Sequence, residues 1–151
     1  MRKNNQGFTL IELMISVAIV ATLSALAFNS YQRTVLAAGR TDAMVALSDV
    51  AQRMQRCFTA QSTYKPTATG VCAVADSAVA TAGIISTDGL YKINLVNDTS
   101  YTATAYVLTA TPVTGKRQAK DTACTSFSLN QIGVKTAKKS TTDNTAECWK
   151  R

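Results

Sequence analysis

The chain has 151 residues, 16 Lys+Arg against 9 Asp+Glu, a formal net charge of +7 and no histidine. That length suits one domain, at roughly 100–200 residues each, and not two independent cores. Lack of histidine excludes Ser-His-Asp and Cys-His nucleophile pairs and His-containing zinc sites, and the 46% hydrophobic content excludes a disordered chain. What remains implies no enzyme class, no cofactor and no metal.

The first seven residues, Met1-Arg2-Lys3-Asn4-Asn5-Gln6-Gly7, form a short basic stretch. From Phe8 to Phe28 the only charged residue is Glu12, and from Leu13 to Gln32 there is no charge. At ~1.5 Å per residue this segment spans ~30 Å as a helix, the hydrocarbon thickness of a bilayer. Positive charge ahead of an apolar span keeps that end in the cytoplasm. A secretory signal peptide with Ala25-Leu26-Ala27 as its cleavage site is the competing reading. Two features oppose it. A carboxylate inside the apolar region costs ~2.5–3.5 kcal/mol on insertion scales, and the helical pattern runs through Ala27 without a break.

Gly7-Phe8-Thr9-Leu10-Ile11-Glu12 resembles the G-F-T-L-x-E leader motif of type IV pilins and of type II secretion pseudopilins. The resemblance implies cleavage after Gly7 by a prepilin peptidase, N-methylation of Phe8, and retention of the apolar segment. An ionisable group in the membrane needs a partner. In the family that partner is the terminal amine of an adjacent subunit, so the resemblance pairs Glu12 with the Phe8 amine of a neighbour. The organisation follows: residues 1–7 a removed leader, 8–30 the transmembrane half of a helix, 31–151 a periplasmic and then extracellular globular domain.

Beyond Phe28, Ala43, Leu47, Val50, Met54, Cys57 and Phe58 recur at spacings of three and four, with Ala46 on the same face. One helix from about Thr9 to Phe58 is predicted. Many pilins carry A-x-P-x-Y near its middle, where this chain reads Ala27-Phe28-Asn29-Ser30-Tyr31. Without that proline the helix keeps its hydrogen-bond ladder and a straighter, less easily melted first half is expected. From Thr59 to Gly89 the sequence reads as loop. Strands are predicted over Leu90–Val96, with Tyr91, Ile93 and Leu95 on one face, over Tyr101–Thr111 and over Cys124–Leu129. Asn97–Ser100 reads as the first turn, and Pro112 and Gly115 close the second strand. Helix, loop and antiparallel meander together argue an α+β fold, with the sheet packed on the helix, which is also what the resemblance implies.

Cys57, Cys72, Cys124 and Cys148 show no zinc spacing. In an oxidising compartment they are expected as disulfides, with three pairings open. Proximity in sequence favours Cys57–Cys72 and Cys124–Cys148, the latter closing a C-terminal loop over Lys135–Glu147. The end of the chain, Cys124-x-x-Phe127-x-Leu129, Gly133 and Glu147-Cys148-Trp149, is similar to minor pilins of the PilE type.

Excess positive charge gathers at Lys116, Arg117 and Lys120 and at Lys135, Lys138 and Lys139. Such clusters are ordinarily solvated faces. Their functional reading is attraction for DNA phosphates or an acidic subunit surface, with little aromatic interleaving to support base stacking. The resemblance thus implies a structural, non-enzymatic subunit of a type IV pilus, a minor pilin whose partners are other pilins, the assembly machinery and the inner membrane. Two alternatives stand beside it: a type II secretion pseudopilin, and a DNA-receptor pilin.

Overall fold

The computed structural model describes residues 8–95 and 101–150. The leader Met1–Gly7 and the turn read over Asn97–Ser100 lie outside the described residues. The chain divides into two compact units, residues 1–35 and 36–151.

In the first unit α1 (Leu10–Gln61) begins. Its start is capped by Thr9, whose Oγ1 accepts the Glu12 N–H at 3.3 Å. The Ser16 and Thr22 hydroxyls donate back to the Glu12 and Ile19 carbonyls, so these polar groups are satisfied within the helix. The helix continues without interruption through Ala27–Tyr31, where Asn29 stands in the family's proline position. Phe8, Leu10, Ile11, Leu13, Ile19 and Leu23 are all more than half exposed. The helix is long and apolar enough to cross a membrane. Covering a Leu, Ile or Phe is worth ~1.5–3 kcal/mol, so this surface calls for lipid or for neighbouring subunits.

In the second unit, Ala43, Leu47, Val50 and Met54 of α1 are at most 1% exposed. This is the stripe that the three-and-four spacing predicts. Beside it lies a six-stranded antiparallel meander in the order β1 to β6. Its strands are β1 (Ile84–Ile85), β2 (Tyr91–Leu95), β3 (Val107–Pro112), β4 (Ser126–Asn130), β5 (Lys135–Lys139) and β6 (Thr142–Asp143). Alternation sends Tyr91, Ile93, Leu95, Leu108, Ala110, Phe127, Leu129 and Ala137 into one core with the helical stripe. Tyr91 and Trp149 each meet Phe127 edge-on, at 5.8 Å between centroids. Asp42 of α1 is buried and accepts from the Ser86 hydroxyl and the Asp88 and Leu90 N–H groups, which fixes the β1–β2 turn.

Four readings of the sequence need correction. The stretch Thr59–Gly89 is not all loop. It holds α2 (Ala73–Val79) and β1, which are too short to show a period; α2 buries only Ala75 and Ala78. The second strand starts at Val107 rather than Tyr101 and includes Pro112. Tyr101 leaves the sheet because its hydroxyl donates to the Tyr64 carbonyl at 2.8 Å, while the Tyr64 N–H donates to the Ala103 carbonyl. The third strand covers Ser126–Asn130, since the Cys124 N–H is taken by the Asp121 carboxylate. Finally, Lys135–Glu147 is not a loop: it forms β5, β6 and most of α3 (Thr145–Cys148). In β5 only Ala137 is buried, so the sequence shows no apolar alternation there.

Candidate nucleic-acid interface and assembly residues

Between β3 and β4 the chain makes a 3₁₀ turn, Arg117–Lys120. Lys116, Arg117 and Lys120 are exposed on it, while Gln118 between them is fully buried. Among the described residues none of the three basic side chains is in an ion pair. Gln118 is the anchor: its Nε2 donates to the Leu36 carbonyl of α1 at 2.9 Å and to Asp121 Oδ2 at 3.2 Å.

Asp121 is 4% exposed and collects five donors. Arg40 of α1 grips it with Nε at 2.7 Å and a second nitrogen at 3.1 Å. Gln118 supplies the third, and the Ala123 and Cys124 N–H groups donate to Oδ1. A buried carboxylate is tolerable when paired and bonded this completely. The hydrogen bond it donates to Asp121 holds the Arg40 guanidinium above its ordinary range, against the lowering effect of burial. Burial also pushes up the hydroxyl of Tyr91, against a lowering effect of the nearby Gln118 side chain. Arg40 and Asp121 are 81 residues apart, and no spacing in the sequence pairs them. Gly39 leaves a trace: any side chain there would overlap the Gln118 carbonyl oxygen.

The strand register places the other lysines. Lys138 pairs with Ser126 at the start of β4, and Pro112 at the end of β3 pairs with Tyr91. The 3₁₀ turn joins those two strand ends, so Lys116, Arg117 and Lys120 share an end of the sheet with Lys138 and Lys139. Lys135 lies at the other end of β5, its ammonium 5.1 Å from the centre of the Trp149 ring, beside an open cleft of about 620 Å³ against Met44 and Val45 of α1.

The cysteines join as Cys57–Cys72 and Cys124–Cys148. The first ties the last turns of α1 to the residue before α2, the second ties the approach to β4 to α3. In the first unit Phe8 is 87% exposed. Among the described residues Glu12 has no ion pair. Gly7 lies outside the described residues.

Two families match the chain. The prokaryotic N-terminal methylation motif matches residues 2–28. With a long N-terminal helix on an antiparallel sheet, that motif defines a type IV pilin. The family described as "Type IV minor pilin ComP, DNA uptake sequence receptor" matches residues 29–128, about two thirds of the chain; the chain belongs to this family of minor pilins. Comparison with curated proteins returned no match. The protein is therefore a minor pilin subunit, membrane-anchored through its apolar helix and belonging to a structural family. The pilus reading takes precedence over that of a secretion pseudopilin.

Proposed function

We propose that this minor pilin is a DNA receptor, in which Lys116, Arg117 and Lys120 bind phosphates on a pinned turn. The observation that carries this is the burial of Gln118 inside an otherwise exposed basic run. A turn that merely kept charge in water would need no such anchor. Holding three cations in place lowers the ordering cost of meeting phosphates. The family description, a DNA uptake sequence receptor, supports the same reading. Reversing all three charges (Lys116→Glu, Arg117→Glu, Lys120→Glu) in the mature full-length chain, in nonionic detergent, tests it. Affinity for duplex DNA should fall, and the slope of log affinity against log salt should flatten by about 2–3, at ~0.9 per phosphate. Unchanged affinity and slope would refute the assignment.

Assembly is read from the leader. Prepilin peptidase cuts after Gly7, Phe8 is methylated, and Glu12 pairs with the Phe8 amine of a neighbouring subunit. Before assembly the N-terminus faces the cytoplasm and the domain the periplasm. No catalytic role is assigned. An intact mass and N-terminal sequence showing methylated Phe8 supports this pathway, whereas a terminus after Ala27 overturns it. Glu12→Val should leave the subunit in the membrane and out of sheared pili.

A further inference from the structure

We infer that the outward face of the sheet, across β2–β5, is a track for the DNA phosphate backbone that leads away from the basic turn. This rests on the receptor reading and assigns it a second surface.

The register sets two rows of side chains on that face. One is Asn94, Thr109, Ser128 and Thr136, each opposite the next. The other begins with Lys92 opposite Thr111 and ends with Ser126 opposite Lys138. All eight alternate with buried core positions and are partly or fully exposed. Neither row contains a carboxylate or an apolar side chain. The four strands cover ~14 Å at ~4.8 Å spacing, a width that takes successive phosphates of one DNA strand.

The chemistry suits phosphate better than protein. Hydroxyls, amides and lysines make most backbone contacts to DNA. The core of a protein interface needs aromatic or apolar anchors, and both rows lack them. Thr109 Oγ1 and Ser128 Oγ lie 3.1 Å apart, one donating to the other. The pair therefore keeps one O–H free to donate to a phosphate oxygen. Asn94 spends one amide hydrogen on the Ala80 carbonyl and Lys92 reaches the Thr81 carbonyl at 3.4 Å, so both retain further donors. The face is bounded by Ile85 on β1 and by Asp143 on β6, which stands opposite Lys138. Asp143 accepts from the Thr145 N–H and hydroxyl. It sits where it would repel a phosphate at Lys138. At that end the track meets Lys139 and the basic turn.

Backbone contacts position DNA without reading sequence, so variants here should act equally on any duplex. The test is titration of the mature full-length chain in nonionic detergent with short fluorescent duplexes of two unrelated sequences. Ser128→Glu should weaken both at least ~10-fold by setting a carboxylate against phosphate. Lys92→Gln with Lys138→Gln should flatten the salt slope by up to about 1.8, at ~0.9 per phosphate. Asp143→Asn should tighten binding to both duplexes. Melting temperatures separate these effects from unfolding, and if Ser128→Glu does not fold, the Lys92/Lys138 slope decides. Parent-like affinity and slope in these variants, while the Lys116/Arg117/Lys120 reversal abolishes binding, would overturn the track and leave the receptor standing. A parent chain with no salt-dependent affinity would sink both.

Discussion

At Gly39 two local rules pull in opposite directions. Glycine within a helix costs ~1 kcal/mol relative to alanine, so Gly39→Ala ought to stabilise α1. Yet a Cβ there would overlap Gln118 Oε1. Gln118 is fully buried and tied by its other amide atom to Leu36 and Asp121, so it has no room to yield. The overlap should win, and urea denaturation of Gly39→Ala should show a loss of ~1–3 kcal/mol. A gain would mean that Gln118 moves freely and the turn is not pinned. Asp121→Ala should cost more, ~3–5 kcal/mol, because it strands a largely buried Arg40 cation. Both variants should also weaken DNA binding while every basic residue remains in place.

At the scale of elements, the disulfides carry the part of the fold with the least apolar content. Cys124 and Cys148 are 24 residues apart and enclose β4, β5, β6 and α3. Replacing both with alanine should cost ~3–4 kcal/mol on the chain-entropy account. A melting temperature unchanged from the parent would show that β-pairing alone holds this end. The same poverty of apolar side chains explains what the sequence hid. α1, β2 and the inward Tyr91, Ile93 and Leu95 were legible because long or strictly alternating apolar patterns reveal them. β5 contributes only Ala137 to the core, and β1 and β6 are two residues each, so they exist through their neighbours' hydrogen bonds. The basic cluster was visible as composition. Its anchor was not, because Gln118, Asp121 and Arg40 meet only through tertiary structure.

For the whole molecule, alkaline pH is the informative stress on the globular unit. Burial, reinforced by Tyr64, pushes the Tyr106 hydroxyl up to about 12, and burial raises Tyr91 and Tyr101 as well. An unfolded tyrosine ionises near ~10. The folded state therefore keeps protons that the unfolded state releases, and stability must fall as pH rises from ~10 through the folded values. The urea midpoint should hold steady below pH ~10 and drop between ~10 and ~12, with tyrosinate absorbance lagging that of free tyrosine. Titration of every tyrosine near 10 in the folded protein would contradict the packing around Tyr64 and Tyr106.

The Gln118 tether also bears on mechanics. On the proposed receptor reading, DNA seated at Lys116–Lys120 and placed under tension would pull on the turn. That load runs along two short routes into the same helix: Gln118 to the Leu36 carbonyl, and Asp121 to the forked grip of Arg40. Beyond Asp121 the line of force continues into the covalent Cys124–Cys148 link. The weakest span in this harness is non-covalent and lies between the turn and α1. Under a pulling probe, Gln118→Ala should lower the rupture force at that span more than it lowers equilibrium affinity.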